Sequence, residues 1–223
     1  DGIVSARAYA TAAGVYELYA NGRRASDDVL APGWTSYQHR LQYQTYDVTN
    51  LVRPGTNAIG VHLGDGWYRS GIGFENRNFK YGERRAALVQ LHVRYADGSE
   101  EVVLSDASWR CATSPVLYST IYHGETYDAR LERDGWNENG YDDGAWEAVE
   151  VLELPMDTLV PQENAPTRVT ETIRPVRYFV TPSGDHVLDM GQNMVGRVRM
   201  NVRGAAAGTT IVLRHAEVLD RDG

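Results

Sequence analysis

Alternation of apolar and polar residues at every second position is the feature that most constrains how this chain folds. The clearest example is residues 89–95, where Val, Leu, Val and Tyr alternate with Gln, His and Arg. Residues 197–202 and 211–214 repeat the pattern. Because successive side chains of a strand point to opposite faces, each segment is typical of a strand with one buried face. No stretch of a dozen residues has the i, i+3, i+4, i+7 spacing of an amphipathic helix.

Tight-turn signals separate the predicted strands. Residues 15–20 run into Asn-Gly at 21–22, and residues 89–95 run into Asp-Gly at 97–98, ahead of another strand at 101–104. Such dipeptides supply the left-handed backbone that short hairpin loops need. Many short strands that each bury one face require a second sheet to complete the core. The sequence therefore predicts an all-β chain with a β-sandwich or jelly roll.

Proline usage suggests how the chain is divided. Five of the eight prolines fall between residues 155 and 182, where no alternation is sustained. Proline removes a ladder donor and favours extended backbone, so this segment is predicted to be a linker or a crossing strand. We predict a first domain over 3–154, a Pro-rich linker over 155–175 and part of a second β domain over 176–223. The absence of an initiator Met leads us to expect a piece of a longer protein.

Composition excludes several classes of function. With 22 Lys and Arg against 30 Asp and Glu, the net charge is -8 and no basic block is present, so a nucleic-acid partner is not expected. No apolar run approaches the roughly 18 residues of a membrane span. One cysteine, Cys111, cannot form an internal disulfide. The six histidines never occur as H-x-x-x-H or H-x-H, so the sequence has no local zinc motif.

Local signatures of catalysis are missing as well. No G-x-S-x-G elbow occurs, and the Gly-Ile-Gly at 71–73 lacks the following helix of a dinucleotide site. Acidic doublets at 100–101 and 142–143 do not form a glycosidase pair, because neighbouring side chains in a strand face opposite ways. We therefore predict no catalytic residue in this chain. A freestanding sandwich enzyme that uses two of its own carboxylates is the rival hypothesis.

The segment 63–74, with the residues just after it, is the strongest candidate for a binding site. It contains Asp65, Trp67 and Tyr68, and Asn78 follows closely. Phe74, Asn76 and Tyr81 extend the same mixture of aromatic rings and amides. Flat apolar rings that stack on a sugar, beside planar polar groups that bridge its hydroxyls, are typical of carbohydrate recognition. The alternative is that the aromatic residues close one end of the sandwich.

A second cluster is Asp27-Asp28, which follows the Asn-Gly turn. These carboxylates have the chemistry to bind sugar hydroxyls or, together with backbone carbonyls, a calcium ion. The alternative is a polar turn without a ligand. Calcium is therefore only a possible cofactor at this stage.

Five segments, in order and spacing, strongly resemble the N-terminal β domain of bacterial α-L-rhamnosidases. They include Pro-Gly-Trp-Thr at 32–35, Tyr-Gln-Thr-Tyr at 43–46 and Gly-Asp-Gly-Trp-Tyr at 64–68. The segments are 14–24, 30–37, 41–49, 55–61 and 64–68. Residues 141–146 are similar to the closing motif of galactose-binding-like jelly rolls. Gly-Gln-Asn at 191–193, with residues 213–219, looks like the opening of the concanavalin-like β domain of the same family.

The resemblance implies a galactose-binding-like jelly-roll β-sandwich followed by the start of a second, concanavalin-like sandwich. In that family, inverting hydrolysis of terminal L-rhamnose resides in an (α/α)6 barrel that lies C-terminal to these domains. This chain lacks the helices of such a barrel, so we expect it to be inactive alone and to pack against that catalytic domain.

Some family members bind L-rhamnose on an N-terminal β domain with the help of calcium. The resemblance therefore allows a carbohydrate-binding site. The predicted site residues are Asp27, Asp28, Asp65, Trp67, Tyr68 and Asn78. A self-standing, calcium-dependent L-rhamnose-binding module without a hydrolase role is the alternative. The resemblance does not distinguish a cytoplasmic from a secreted bacterial protein.

Overall fold

The computed structural model describes residues 2–73 and 78–220, which form two compact units, Asp1–Arg168 and Val169–Gly223. The predicted site contributors Phe74 and Asn76 lie outside the described residues. No helix in the described ranges has the length and apolarity needed to cross a membrane.

In the residues that the structure describes, the first unit is built from strands and two single-turn helices. In chain order the elements are β1 (Ile3–Ala13), β2 (Val15–Ala20), β3 (Arg23–Arg24), β4 (Leu41–Asp47), β5 (Ile59–Gly64), α1 (Gly66–Arg69), β6 (Ala86–Tyr95), β7 (Glu100–Leu104), β8 (Arg110–Cys111), β9 (Val116–Thr120), β10 (Gly124–Tyr127), a 3-10 turn (Ala129–Leu131), β11 (Glu147–Ala148) and β12 (Leu159–Pro161). The glycine-rich segment after β5, which the sequence singles out as a candidate binding segment, contains the short helix α1.

Two sheets share the core of this unit. The larger has the strand order β12-β4-β1-β6-β7, and the smaller has the order β3-β2-β5. Alternate residues of the neighbouring strands β1 and β6 point inward and meet Tyr16 and Leu18 of β2 in one buried cluster. The inward residues are Ala6, Ala8, Ala10, Ala12, Val89, Leu91 and Val93. The predicted all-β sandwich class is confirmed.

The predicted hairpin turns are present. Asn21 and Gly22 both have positive φ, at 48° and 80°, in the turn between β2 and β3. Gly98 has φ of 85° in the turn between β6 and β7, whose pairing joins Arg94 to Glu100. This backbone region is disfavoured for most side chains, which explains why Asn and Gly occupy these positions.

A polar network is buried between the sheets. The Tyr16 hydroxyl lies 2.9 Å from the Ala10 carbonyl oxygen, 2.7 Å from Gln44 Oε1 and 3.2 Å from the Tyr46 hydroxyl. Burial raises the pKa of Tyr16 far above its ordinary value and raises that of Tyr46 to about 12. Both phenols are therefore neutral hydrogen-bonding groups that fix how β1, β2 and β4 stack.

Within the predicted linker, β12 joins the larger sheet. It runs parallel to β4, with Leu159 opposite Leu41 and Pro161 opposite Tyr43. Proline fits here because β12 is an edge strand, where a missing ladder donor costs little. The segment thus contains a crossing strand, one of the two outcomes considered from the sequence. The domain boundaries inferred from proline usage remain predictions.

The second unit has far less regular structure. Its strands β13 (Arg177–Val180) and β14 (His186–Asp189) form one antiparallel hairpin. Residues 191–220 are exposed and contain neither helix nor strand. The strands predicted at 197–202 and 211–214 are therefore wrong for this structure. An alternating segment becomes a strand only where a neighbour pairs with its backbone and a second layer covers its apolar face.

Candidate functional site

Five aromatic side chains meet beside α1, and we call them the aromatic cluster: Trp34, Tyr37, Trp67, Tyr68 and Tyr81. The indoles of Trp34 and Trp67 lie nearly parallel, at 7°, with ring centroids 6.2 Å apart. Trp34 Nε1 donates a hydrogen bond to the Tyr81 hydroxyl over 3.1 Å. The ring of Tyr37 makes edge contacts with Tyr68 at 5.4 Å and Tyr81 at 4.8 Å. Each ring is thereby oriented by at least one other.

Two glycines let the chain bring these rings together. Gly66 opens α1 with φ of 52°, and a Cβ there would lie 2.4 Å from Val15 Cγ1, so α1 sits directly on the start of β2. A Cβ on Gly82 would lie 2.2 Å from the Tyr68 hydroxyl. Trp67 and Tyr68 are consecutive in α1 and are therefore held close to the sheet.

The aromatic cluster is partly open to solvent. Trp34 is 49% exposed, whereas Trp67 and Tyr68 are half-buried and Tyr37 is buried. Tyr37 donates its hydroxyl to the Gly33 carbonyl over 2.6 Å, and burial raises its pKa well above the ordinary value. The buried members therefore fix the geometry, and Trp34 presents an apolar face to which a sugar ring can stack.

Asp65 and Asn78 differ in how their side chains are engaged. The Asp65 carboxylate forms ion pairs with Arg69 at 3.0 Å and with Arg85 at 3.4 Å. It therefore links Arg69 of α1 to Arg85, which directly precedes β6. Asn78 is exposed at the edge of the described segment, before Phe79, whose backbone N–H donates to the Arg69 carbonyl. The structure brings neither side chain into the aromatic cluster.

The Asp27-Asp28 pair is held by an arginine far along the chain. Arg168 Nε lies 2.7 Å from Asp28 Oδ1 and 3.1 Å from Asp27 Oδ1. Arg24 donates to the Asp28 carbonyl over 2.7 Å, and Val29 N–H donates to the Thr167 carbonyl over 2.9 Å. The Asp28 side chain is only 9% exposed, whereas that of Asp27 is 79% exposed. The pair thus fastens the end of the first unit to the loop after β3.

This arrangement does not fit a calcium ion held by the pair. A guanidinium already balances both carboxylates, and it would repel a divalent cation at the same oxygens. Among residues 2–73 and 78–220, no three acidic, histidine or cysteine side chains form a group suited to a metal ion. The Asp27-Asp28 pair is therefore a structural ion-pair site with Arg168 in this arrangement.

The structure divides the six predicted site residues between separate places. Trp67 and Tyr68 belong to the aromatic cluster, Asp65 and Asn78 flank α1, and Asp27 and Asp28 contact Arg168. Sequence reasoning missed Trp34 and Tyr37 as members of the cluster. A usable signal was present, since both aromatic residues lie within the short segment 34–37 between β3 and β4. The roles of the six predicted residues in sugar binding remain predictions.

Comparison with known proteins gives consistent results for both units. The sequence matches the model of the α-L-rhamnosidase N-terminal domain over residues 1–171. It matches the bacterial α-L-rhamnosidase concanavalin-like domain over residues 180–223. An α-L-rhamnosidase from Streptomyces avermitilis is 50% identical over 220 residues, which cover 98% of this chain and 21% of that protein.

Solved structures give the same result. Native α-L-rhamnosidase from Aspergillus terreus has a TM-score of 0.85 at 43% identity, over 87% of this chain and 23% of that one. Streptomyces avermitilis α-L-rhamnosidase complexed with L-rhamnose has a TM-score of 0.84 at 45% identity, over 87% and 19%. This chain thus spans about a fifth of the length of these relatives. It belongs to the α-L-rhamnosidase N-terminal domain family, and the match continues into the concanavalin-like domain of those enzymes.

Proposed function

We propose that this chain is the N-terminal, non-catalytic region of an α-L-rhamnosidase that removes terminal L-rhamnose from glycosides. The observation that carries the proposal is the 50% identity over 98% of the chain, combined with coverage of only 21% of the relative. Such a relative has most of its length beyond the matched region, where a catalytic domain has room. In this proposal, a separate helical barrel in the same protein carries out hydrolysis of the inverting type.

A direct test uses the full-length protein that contains this chain. We expect it to release the aryl group from an aryl α-L-rhamnoside and to leave the matching aryl β-D-glucoside intact. Cleavage of the glucoside without the rhamnoside would overturn the proposal. The relatives named above give no support to a self-standing sugar-binding module without a hydrolase role.

The aromatic cluster supports a second role, as a site where the sandwich holds a sugar. The specific observation is that Trp34 is half-exposed and stacked parallel to Trp67, which keeps an indole face open and rigid. Rigid aromatic faces give contact area at a low entropy cost, as sugar stacking requires. The ligand that agrees with the first proposal is L-rhamnose, held by stacking and without calcium.

Calorimetric titration of L-rhamnose into this chain tests the second role. We expect saturable heat that is equal with calcium and after chelation, and that disappears in Trp34→Ala and Trp67→Ala. Tyr178→Ala, which removes a 57% exposed ring in the second unit, is the matched control and should bind normally. Heat that vanishes on chelation would overturn calcium-independent binding, and heat that persists in both tryptophan variants but vanishes in folded Asp28→Ala would instead locate the site at Asp27-Asp28. Absence of heat would leave the first proposal standing and overturn the second.

A further inference from the structure

The five-stranded sheet has one face buried in the core and one that faces solvent. On the solvent face, side chains of β1, β6 and β7 line a cavity of about 280 Å³ that is open to solvent. The residues that line it through their outward side chains are Ser5, Arg7, Tyr9, His92, Arg94 and Glu100. We call this the open-face cavity. None of these residues belongs to the aromatic cluster.

Arg7 is one of the two arginines that line this cavity. Register places it between Asp47 of β4 and His92 of β6. The Asp47 carboxylate is engaged by Thr49, whose Oγ1 donates over 2.6 Å and whose N–H donates over 3.0 Å, although its charge still interacts with Arg7. Arg7 itself forms no ion pair with any residue in the ranges 2–73 and 78–220. Its planar guanidinium is thus free to accept a carboxylate in bidentate fashion.

A second guanidinium borders the cavity. Arg94 uses Nε and Nη2 on the same oxygen, Oε1 of Glu100, at 2.9 and 2.7 Å. That ion pair holds Arg94 across the sheet and leaves Nη1 unused among the described contacts. With Arg7 and Arg94 against one glutamate, the residues that line the cavity have a net positive charge in a chain whose overall charge is -8. The surrounding negative field disfavours a long polyanion and permits a single acidic group.

Aromatic side chains border the same cationic group. The Tyr9 ring makes edge contacts with His92 at 5.4 Å and with Tyr43 at 6.2 Å. These contacts fix the plane of Tyr9 two residues along β1 from Arg7, and both side chains point to the same face. A ligand that satisfies both features has a carboxylate attached to a ring with an apolar face. A simple anion uses only the arginine.

We propose that the open-face cavity binds a uronic acid residue of a glycan, with its carboxylate on Arg7 and its ring against Tyr9. Arg94 and His92 then border the sugar hydroxyls. The occupant is one acidic sugar within a glycan of otherwise neutral sugars, because the net positive charge is confined to the residues that line this cavity. This site is independent of the proposed rhamnose site, so each can be present without the other.

The test is a titration of this chain with methyl glucuronide, methyl glucoside and sodium acetate at equal ionic strength. We expect saturable binding of the glucuronide and none of the neutral glucoside. Acetate should bind at least about tenfold more weakly, since it lacks the ring. Equal affinity for acetate and glucuronide would mean an adventitious ion only, and would overturn the proposal. No saturable binding of the glucuronide would overturn it as well.

Variants separate recognition from folding. Arg7→Ala should weaken glucuronide binding at least about tenfold. Arg7→Lys, which retains the charge but loses the planar fork, should weaken it as well. Arg53→Ala removes an exposed arginine from a loop and is the matched control, which should bind as the parent does. Circular dichroism of each variant shows whether the sandwich is intact. Normal binding by folded Arg7→Ala would contradict the assignment.

Discussion

The two units contain similar alternating sequences with opposite outcomes. In the first unit, residues 89–93 lie in β6, which pairs with β1 and β7, and their inward side chains are buried. In the second unit, Val198 and Val202 are 54% and 52% exposed, and their segment forms no strand. The difference lies in the neighbours available to pair, because residues 169–220 of the second unit contain a single hairpin. Alternation therefore encodes a strand conditionally, and a second layer must be present to bury it.

Hydrogen exchange should show the largest contrast between the units. Amides of β1 and β6 are bonded in a covered sheet, whereas residues 191–220 have exposed backbone without regular pairing. We expect exchange in residues 86–104 to be slower than in residues after 176, by about two orders of magnitude or more in β6. Mass spectrometry of peptides from a timed exchange measures this. Equal protection in both regions would mean that the second unit folds completely.

A matched pair of valine substitutions should give the next largest effect. Val89 is 2% exposed in the core, and Val202 is 52% exposed. Val89→Asp places a charge among alanines and leucines, and we expect the free energy of unfolding of the first unit to fall by about 4 kcal/mol or more. Val202→Asp should change it by less than about 0.5 kcal/mol. Chemical denaturation followed by tryptophan fluorescence compares the two. Similar losses would contradict the burial assigned to either position.

Removal of one hydroxyl tests the buried polar network. Tyr16→Phe removes the single hydroxyl proton that the Ala10 carbonyl and Gln44 Oε1 share inside the core, and we expect the free energy of unfolding to fall by about 1–2 kcal/mol. The control is Tyr178→Phe, whose ring is 57% exposed, and it should have almost no effect. Urea denaturation measures both variants. A stabilised Tyr16→Phe would show that the network costs more than it contributes.

The smallest expected effect concerns an ion pair in each unit. Arg168 contacts Asp28, whose side chain is 9% exposed, whereas Arg177 contacts Asp189, whose side chain is 39% exposed. Solvent screens the second pair more strongly. We expect Arg168→Ala to lower Tm by about 2 °C and Arg177→Ala to leave it unchanged. Calorimetric scans at low and high salt check this, and a larger shift for Arg177→Ala would reverse the ranking.

Much of the first unit could be predicted because its signals are local. Alternation predicts β6, and the Asn-Gly and Asp-Gly dipeptides predict the turns at 21–22 and 97–98. Each of these patterns depends on neighbouring residues alone. The strands predicted after residue 190 are absent because alternation alone does not supply the neighbouring strand that backbone pairing requires. Pairing of β12 with β4, across more than a hundred residues, has no local signature.

The candidate site follows the same rule. The proximity of Trp67 and Tyr68 to each other is predictable, because they are consecutive in one aromatic and glycine-rich segment. The stacking of Trp67 on Trp34 and the edge contact of Tyr68 with Tyr37 depend on how α1 docks on β2, which no periodicity encodes. Likewise, Asp28 is polar and was a reasonable ligand from sequence, yet Arg168 meets it from 140 residues away. Residue type indicated the chemistry of each group, and only the fold showed which partner occupies it.

Hydrolysis by the isolated chain is the most direct test of whether this region is non-catalytic. The purified chain would be incubated at high concentration with an aryl α-L-rhamnoside, and release of the aryl group would be followed for hours. We expect no release above buffer, because no catalytic residue is predicted within the chain. Release that scales with the concentration of the chain, and that is absent from an identically purified control protein, would contradict the proposed division between binding and catalysis.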